Sequence, residues 1–598
     1  MFEDESRSSQ WDELPPPPVP QPPRRKKSRW MWWVAGLTGL TLGIMGVSLA
    51  LAWVGMTMGG GGLSSGSTLS IDTARSYPEW PLYELGGLFG ASNAASFGDL
   101  LHGIDRAGAD DRVENLLLRV RGTNLGWAHA VELRRHLQSF KESGKPLIAF
   151  IEFASNMDYV LASVADEVYM HPQTQLDLRG VRAEVTFLRD SLTKLGIEAE
   201  FERVGRYKNG PDGYTRSDMS EAQKESLGAL IETIGNTVVS SIAESRGVEP
   251  ERIESLMARG PLDAKTALAE GLVDGLQYLD EVETAMSATD YVEVHRLRGG
   301  SGFSFGTRDK IAVIYGIGTI VPGDSRDDLF SGRLMGSDTL MRAFRSARRD
   351  EDVKAVVFRI DSPGGVDVSS DVIWREAELT RAEKPVVVSM GNLAASGGYW
   401  VATASDYIVA EPTTITGSIG VYAGKFNYAG LYDWLGVNKE AVETSASASF
   451  YSDRRSFTPE ERERLQRLIR QAYDRFLERV STARDSTPEE VHTVAQGRVW
   501  SGKMALEKNL IDELGGLDRA LEIAADRAGV SLEEADVVAY PRQKSFLETV
   551  LGDVQTSTRS PVMPALANPA KWLEGSSFLR HLGSGERLAH LPFELTIH

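Results

Sequence analysis

The stretch KPVVVSMGNLAASGGYWVATASDYIVAEP at residues 384–412 has a near copy earlier in the chain, KPLIAFIEFASNMDYVLASVADEVYMHP at residues 145–172. At an offset of 240 residues Tyr159 aligns with Tyr399, and a proline ends both stretches. Each stretch has the pattern of a buried apolar strand, a short loop and a helix. A repeat of this size predicts two copies of one structural unit.

A second pair of similar segments supports the duplication. ARGPLDAKTALAEGLVDGL at residues 258–276 is similar to AQGRVWSGKMALEKNLIDEL at residues 495–514, and Asp274 aligns with Asp512. The two pairs occur in the same order along the chain, which indicates a tandem repeat.

Apolar strands alternate with helices in the second copy. The predicted strands are residues 310–321, 353–361 and 385–390, and the predicted helices are residues 337–350, 369–382 and 398–406. This alternation is typical of βαβ units around a parallel sheet. The chain is therefore predicted to be an α/β protein with two tandem repeats and largely parallel sheets.

Composition indicates where the segments of the chain begin and end. The expected segments are a proline-rich and basic tail (1–28), a transmembrane helix (29–58), a glycine- and serine-rich tether (59–75), the first repeat (76–294), a linker (295–309), the second repeat (310–540) and a tail without assigned chemistry (541–598). At 598 residues the chain is too long for a single core.

The N-terminal apolar stretch predicts a membrane anchor. It carries no charge from Trp30 to Met58 and exceeds the roughly 20 apolar residues that a spanning helix needs. Four basic residues, Arg24–Lys27, precede it, so the tail is predicted to be cytoplasmic and everything after Gly62 to lie outside the cytoplasm. A cleaved signal peptide is the alternative.

Charge and cysteine content exclude several kinds of chemistry. The net charge of −19 argues against nucleic acid as a partner. The absence of cysteine excludes disulfides, thiolate metal sites and cysteine nucleophiles.

Ser396 is the candidate nucleophile of the second copy. It follows an apolar strand and begins a helix through Gly397 and Gly398, where free amides and a partial positive charge stabilise an oxyanion. The alternative is a serine that only caps the helix. The aligned residue of the first copy is Asn156, so that copy has no such nucleophile.

The sequence DSPGG at residues 361–365 supplies a second element. It follows an apolar strand and is predicted to form a tight turn before a helix, with the amides of Gly364 and Gly365 turned outward. Two amides directed at one point form an oxyanion hole. The alternative is an ordinary turn between a strand and a helix.

A serine nucleophile needs a base, and no histidine lies between His295 and His492. Serine–lysine pairs are the known alternative, and they need a lysine that burial keeps neutral. Lys208, in the glycine- and proline-containing loop RVGRYKNGPDG, is one candidate in the first copy. Composition alone favours a solvated lysine at this position.

Four motifs resemble one protein family. YK at 207–208, SPGG at 362–365, AASGGYW at 394–400 and TGSIGV at 416–421 are similar to the signal peptide peptidase A family in its long form, which has two repeats and an N-terminal anchor. The resemblance covers about residues 86–540. It implies crotonase- and caseinolytic-protease-like repeats, built as a spiral of ββα units.

The resemblance also implies residue roles. Ser396 is the expected nucleophile, Lys208 the general base and acid, and Ser418 the residue that orients the lysine amine. Gly365 and Gly397 are the expected donors of the oxyanion hole. No cofactor and no metal are implied.

The function that the resemblance implies is that of a membrane-anchored serine endopeptidase of the bacterial inner membrane. Its catalytic part is expected on the extracytoplasmic side, its substrates are signal peptides or other short apolar peptides, and its assembly is a homotetramer. Two alternatives stay open from the residues: an acyl-CoA enzyme of the crotonase type, which shares the glycine-rich turn, and a non-catalytic membrane scaffold with two decayed repeats.

Overall fold

The computed structural model describes residues 63–79, 95–287, 291–297, 308–328, 332–540, 588–590 and 596–597. The chain divides into two compact units, Met1–Ser64 and Ser65–His598, and both sequence repeats lie in the second. The predicted transmembrane helix at 29–58 lies outside the described residues. Among the helices that the structure does describe, none is long and apolar enough to cross a bilayer. The segment boundaries expected from composition stay predictions.

The first repeat alternates strands and helices from its beginning. Its strands are β1 (Ser67–Asp72), β2 (Val113–Arg121), β3 (Leu147–Ser155), β4 (Glu167–Met170), β5 (Gln175–Asp177), β6 (Ala183–Glu184), β7 (Glu198–Val204), β8 (Leu262–Asp263), β9 (Gly275–Leu276) and β10 (Tyr291–Glu293). Its helices are α1 (Phe97–Ala109), α2 (Trp127–Glu142), α3 (Asn156–Ala162), α4 (Arg189–Lys194), α5 (Asp212–Thr215), α6 (Glu221–Arg246), α7 (Pro250–Met257), α8 (Ala264–Ala269) and α9 (Leu279–Ala285), and a 3₁₀ turn follows at Val294–Arg296.

The second repeat has the same plan. Its strands are β11 (Lys310–Ile317), β12 (Thr319–Val321), β13 (Arg326–Asp328), β14 (Gly332–Gly336), β15 (Val353–Ser362), β16 (Gly364–Val366), β17 (Val386–Ala395), β18 (Tyr407–Ala410), β19 (Ile415–Gly417), β20 (Val421–Asn427), β21 (Val499–Ser501), β22 (Glu513–Leu514) and β23 (Asp536–Tyr540), and β24 (Leu588–His590) and β25 (Thr596–Ile597) follow. Its helices are α10 (Ser337–Arg349), α11 (Asp367–Arg381), α12 (Gly397–Ala402), α13 (Ala429–Leu435), α14 (Pro459–Ala483), α15 (Pro488–Val494), α16 (Gly502–Glu507) and α17 (Leu517–Ala528).

The two main sheets have equivalent strand orders. The first runs β10-β1-β2-β3-β4-β9, with β5 on β3 and β8 on β5. The second runs β23-β11-β15-β17-β18-β22, with β19 on β17 and β21 on β19. All these pairs are parallel except β5 with β8 and β19 with β21, which are antiparallel. The predicted α/β class, with two repeats and largely parallel sheets, is therefore confirmed.

Burial explains the apolar strands of the second sheet. On one face, Val356 and Phe358 of β15 pack in a core with residues of α10, α11 and α14. On the other face, Val357 and Val387 pack against α17. A parallel sheet covered by helices on both faces needs strands that are apolar throughout rather than alternating.

Side-chain anchors recur at equivalent positions in the two repeats. The ammonium groups of Lys145 and Lys384 each donate two hydrogen bonds to backbone carbonyls, at distances between 2.6 and 3.0 Å. Asp274 and Asp512 each accept a hydrogen bond from a strand amide at 2.7 Å. The repeated lysines and aspartates thus stabilise the fold of each copy.

A third, mixed sheet joins the repeats in the order β13-β14-β12-β16-β24-β20-β7. Strand β7 belongs to the first repeat, and its neighbour β20 belongs to the second. The repeats are therefore connected by main-chain hydrogen bonds as well as by side-chain packing.

Two local predictions are corrected. The predicted strand 310–321 is broken at Gly318, where φ is +90° and a Cβ atom would lie 2.0 Å from the Arg333 carbonyl oxygen, so β12 leaves the main sheet and enters the third. The expected tight turn at SPGG is instead the short strand β16, which pairs with β12 on one side and with β24 on the other.

A buried ionic network also connects the repeats. Arg359 on β15 donates to Glu79 at 2.6 Å, to Glu132 on α2 at 2.7 Å and to Ser389 at 2.8 Å. Arg359 and Glu132 have no exposed side-chain surface. The two carboxylates raise the pKa of the guanidinium further above its ordinary value, despite a burial that alone would lower it.

We expect Arg359→Leu to destabilise the protein by about 3–5 kcal/mol, because the substitution leaves two buried carboxylates without a cation. The measurement is urea denaturation of the full chain. The matched control is Arg381→Leu, which breaks the half-exposed pair with Glu378 and should cost at most about 1 kcal/mol. Equal effects of the two substitutions would contradict the importance of the buried network.

Candidate active site

The candidate lysine is positioned by two paired strands, one from each repeat. Strand β7 pairs antiparallel with β20 along the whole length of both strands. The chain then turns at Gly205, where φ is +110°, and the amide of Tyr207 donates to the carbonyl oxygen of Gln496 at 2.8 Å. Lys208 is therefore held against the second repeat, although it belongs to the first.

Lys208 contacts both candidate serines. Its Nζ lies 2.7 Å from Ser396 Oγ, 3.0 Å from Ser418 Oγ and 2.9 Å from the Ser418 carbonyl oxygen. All three residues are 0% exposed. The three residues singled out in the sequence thus meet at one nitrogen atom, although Lys208 and Ser396 are 188 positions apart.

The environment of Lys208 favours the neutral amine. Burial lowers the pKa of its ammonium group well below the ordinary value, and no carboxylate of the described chain offsets that effect. A lysine with a depressed pKa carries a free lone pair over a larger part of the pH range. Such an amine can accept a proton from a hydroxyl group at hydrogen-bonding distance.

Two glycines of the second repeat make room for the lysine. A Cβ atom on Gly497 would lie 2.5 Å from the Cβ of Lys208, and one on Gly420 would lie 3.2 Å from its Cδ. Gly420 belongs to the TGSIGV motif. The role of Gly497 was not predicted from the sequence, because AQG at residues 495–497 looks like an ordinary turn.

The backbone at both serines lies in the left-handed region of φ. Ser396 has φ 58° and ψ −114°, and Ser418 has φ 52°. Non-glycine residues in sparsely populated conformations cost about 1–3 kcal/mol each, and they cluster at functional sites. The Ser396 amide donates to the Gly417 carbonyl oxygen at 2.8 Å, and the Ser418 amide donates to that of Arg498 at 2.7 Å, so the surrounding structure holds both serines in place.

The hydroxyl of Ser396 is not used as a helix cap. Ser396 occupies the N-cap position of α12, but its side chain accepts no hydrogen bond from the first turn of that helix. The structure thus removes the alternative of a purely capping serine and leaves the hydroxyl available to Lys208.

The glycine-rich strand β16 packs beside the serine. The hydroxyl of Ser362 accepts from the Gly364 amide at 3.1 Å and donates to the Gly318 carbonyl at 2.7 Å. A Cβ atom on Gly398 would lie 2.8 Å from the Ser362 carbonyl oxygen, so α12 begins directly against the SPGG segment. Gly397 is the first residue of α12, and its amide therefore has no acceptor within the helix.

A strand of the same chain runs next to this site. Strand β24 pairs antiparallel with β16, with Ala589 opposite Gly365, and it also pairs antiparallel with β20, with Leu588 opposite Tyr422. The space between the glycine strand and the strand that follows Ser418 therefore accepts an extended polypeptide backbone. We call this space the catalytic cleft.

A protein-family model, peptidase family S49, matches the chain twice, at residues 139–293 and 378–531. Protease 4 from Salmonella typhi is 32% identical over 603 residues, which cover 94% of this chain and 95% of that protein. The chain belongs to peptidase family S49. It is therefore a serine protease, and the alternatives of an acyl-CoA enzyme and a non-catalytic scaffold are wrong.

Two further relatives of this S49 peptidase are also named as a protease or a peptidase. The chloroplastic serine protease SPPA of Arabidopsis thaliana is 32% identical over 76% of this chain and 69% of that protein. A putative signal peptide peptidase SppA of Enterococcus faecium is 29% identical over 42% of this chain and 72% of that protein. A solved structure, that of a ClpP1 mutant from Listeria monocytogenes, is similar with 14% identity over 36% of this chain and 94% of that chain, at a TM-score of 0.23.

The equivalent position in the first repeat of the S49 peptidase has a different chemistry. Asn156 Nδ2 donates to the Gly180 carbonyl oxygen at 2.9 Å, and Asn156 Oδ1 accepts from the amides of Arg179 and Gly180 at 3.1 and 3.3 Å. Leu178 stands where the second repeat has Ser418. The amide of Asn156 thus braces a loop.

Residues that brace the lysine loop were missed in the sequence. Arg203 donates to Asp212 at 2.5 Å and to the Lys208 carbonyl oxygen at 3.2 Å. Arg498 of the second repeat donates to Glu225 of the first at 2.6 Å. Charged residues in loops are common, so nothing in the sequence distinguished these from solvated ones.

One cluster of described residues has the ligand types of a metal site: Glu79, His129 and Asp361. However, Arg359 already donates to Glu79 Oε1 at 2.6 Å, so a metal ion there would lie beside a fixed positive charge. Burial alone would raise the pKa of Glu79, but Arg359 and His129 outweigh it and lower this pKa to about 2. The cluster is better explained as part of the ionic network between the repeats.

We expect Ser396→Gly to be more stable than Ser396→Ala by about 1 kcal/mol. Both variants lack the hydroxyl, but only glycine adopts the observed φ and ψ without strain. The measurement is the thermal unfolding midpoint of the full chain. At Ser389, which lies within β17, the same pair should show the opposite order. Equal stability of the two Ser396 variants would contradict the strain.

Proposed function

We propose that this S49 peptidase is an endopeptidase in which Ser396 is the nucleophile and Lys208 is the general base and acid. The observation that carries the proposal is the 2.7 Å contact between Lys208 Nζ and Ser396 Oγ in a fully buried site. Lys208 belongs to the first repeat and Ser396 to the second, so neither repeat has both residues. Their contact supports a single active site formed by the two repeats together.

The contacts of Lys208 fit the proton chemistry of a neutral amine. Such an amine has two N–H donors and one lone pair. The carbonyl oxygen and the Oγ of Ser418, at 2.9 and 3.0 Å, can accept from the two N–H groups. The lone pair is then left to accept the proton of Ser396, which is the orienting role that we assign to Ser418.

The reaction follows from this arrangement. Ser396 Oγ forms a bond to the substrate carbonyl carbon while its proton passes to Lys208 Nζ, and the carbonyl electron pair moves to oxygen. The tetrahedral intermediate collapses, the C–N bond breaks, and the Lys208 ammonium returns the proton to the leaving amine. Water then attacks the acyl-enzyme by the same route and regenerates Ser396.

Backbone amides are the proposed stabilisers of the oxyanion. Gly397 has an amide without an intrahelical acceptor, and Gly365 lies on the strand packed against α12. Glycine at position 365 is also required by packing, since a Cβ atom there would lie 2.1 Å from the Ile320 carbonyl oxygen. Amides that are already oriented lower the energy of the transition state without reorganisation.

The proposed substrates are signal peptides or other short apolar peptides in an extended conformation. The pairing of β24 with β16 and β20 supports an extended backbone in the catalytic cleft. A relative named putative signal peptide peptidase supports the substrate class. Residues 29–58 remain the proposed membrane anchor of a bacterial inner-membrane enzyme with an extracytoplasmic catalytic part. The ClpP- and crotonase-like character of the repeats and the homotetramer are also proposals.

Lys208→Ala should lower kcat/KM by about 10²–10⁴-fold, because the general base is lost. The measurement is cleavage of a fluorogenic apolar peptide by the full chain. The control is Lys265→Ala, which removes an exposed lysine of the same repeat and should leave activity unchanged. A serine-reactive phosphonate should label Ser396 in the parent and far more slowly in Lys208→Ala. Undiminished cleavage by Lys208→Ala would exclude this lysine as the base.

The pH dependence follows from the direction of the Lys208 pKa. The amine is active when neutral, so activity should rise with pH as Lys208 loses its proton. Because burial lowers its pKa, this rise should occur well below the pH at which an ordinary lysine titrates. The measurement is kcat/KM against pH. A rise confined to the pH range of free lysine would contradict a buried base.

Ser418→Ala should lower kcat by about 10–100-fold, with a smaller change in KM, since it removes one acceptor that orients the amine. Ser418→Gly is the matched variant, because it lacks the same hydroxyl but tolerates the observed φ. The measurement is the steady-state kcat and KM of both variants. Full activity in Ser418→Gly would mean that the hydroxyl has no role in orientation.

A further inference from the structure

The first repeat contains a groove at the position that corresponds to the catalytic cleft. A cavity of about 580 Å³ is present there, and we call it the first-repeat groove. Its lining includes Thr123, Leu125, Asn156, Arg179, Arg182 and Glu184. At the repeat offset, these positions correspond to Pro363, Gly365, Ser396, Ile419, Tyr422 and Gly424. The duplication has therefore kept the groove while the catalytic side chains changed.

A strand of the chain pairs at the edge of this groove. Strand β25 runs antiparallel to β6, with Ile597 opposite Ala183 and Thr596 opposite Glu184. Ala183 and Glu184 correspond to Ala423 and Gly424 of β20, which pair with β7, whereas β24 pairs with β20 one residue earlier, at Tyr422. Equivalent strands of the two repeats thus both accept an added antiparallel strand, and both added strands come from residues 588–597.

The charges of the first-repeat groove are paired with one another. Arg179 contacts Asp177 at 2.5 Å, and Arg182 contacts Glu184. A groove with internally compensated charges does not select a ligand of one sign, and main-chain pairing is tolerant of sequence. The chemistry therefore suits an extended polypeptide.

We propose that the first-repeat groove is a second, non-catalytic peptide-binding site, and that its ligand is the chain's own strand β25, bound while β24 lies in the catalytic cleft. The assignment of β24 to a substrate-like position rests on the proposed function. The binding of β25 at β6 does not.

The spacing between β24 and β25 along the chain makes the first-repeat groove selective for the length of a peptide. Six positions separate His590 from Thr596, and an extended chain covers about 20 Å over that number of residues. A peptide long enough to reach both grooves gains from two strand additions, whereas a peptide of four or five residues occupies only the catalytic cleft. The groove therefore favours longer peptides, and the chain's own strands compete with them.

Peptide binding tests the proposal without any need for catalysis. The protein is the full chain with Ser396→Ala, which cannot acylate, and with Thr596→Pro and Ile597→Pro, which remove the amides needed for pairing with β6. The probe is a fluorescein-labelled peptide with the sequence of residues 586–598, and its Kd is measured by fluorescence anisotropy. Opening the groove should tighten binding at least about tenfold relative to the chain with Ser396→Ala alone.

Backbone methylation of the probe identifies the contact. N-methylation at the positions of Thr596 and Ile597 should weaken binding about tenfold, as expected for the loss of one or two main-chain hydrogen bonds. The control probe is methylated at the positions of Glu586 and Arg587, outside both paired stretches, and should bind like the unmodified peptide. Equal affinities of all three probes would overturn the proposal.

A substitution in β6 completes the test. Ala183→Pro should weaken the unmodified probe about tenfold but leave the probe methylated at 596 and 597 unaffected, because both changes remove the same contact. Equal weakening of both probes would place the contact elsewhere and overturn the proposal. Should Ala183→Pro fail to fold, the methylated probes alone decide.

Failure of this proposal is distinguishable from failure of the proposed function. If the binding pattern holds while the parent chain cleaves no peptide, the groove is established and the Ser396–Lys208 mechanism is wrong. If the parent cleaves peptides but methylation has no effect, the mechanism stands and the second binding site is wrong.

Discussion

The antiparallel pairing of β7 with β20 joins the two repeats and positions the candidate site. It runs along the full length of both strands and ends at the loop that carries Lys208. Without it, the lysine of the first repeat and the serine of the second would belong to separate sheets. Main-chain pairing suits this task, because its register sets the position of the following loop more firmly than the contacts of flexible side chains do. The two copies can therefore diverge and still build one site.

The candidate active site combines a buried lysine with two strained serines, and each of these destabilises the folded state. Lys208 is buried without a carboxylate partner among the described residues, and Ser396 and Ser418 both have positive φ. A buried amine and strained serines are tolerated only where the surrounding structure over-determines them. Here the bracing comes from both repeats, through Arg203 and Asp212 on one side and the close glycine backbone of Gly497 on the other. Burial also lowers the pKa of Lys208, so its amine is neutral over a larger part of the pH range.

The duplication kept structure and chemistry to different degrees. Repeated lysines and aspartates anchor each copy in the same way, and the two main sheets have equivalent strand orders. At the active-site position, the second repeat has Ser396 and the first has Asn156, whose amide closes a loop. The groove around Asn156 persists, and much of its lining comes from the loops that follow β2 and β5.

The repeat, the α/β class and the candidates Ser396, Lys208 and Ser418 could be predicted from the sequence, because periodicity and short motifs are local properties. It did not reveal the ionic network of Arg359 with Glu79 and Glu132, which lie 280 and 227 positions away. Composition also indicated a solvated Lys208, whereas the residue is 0% exposed. The burial of Lys208 and its contacts with the two serines depend on which distant strands pair and in what register. Strand partners and register are visible only in the folded chain, since contacts between distant segments gain free energy only after the chain has closed the loop between them.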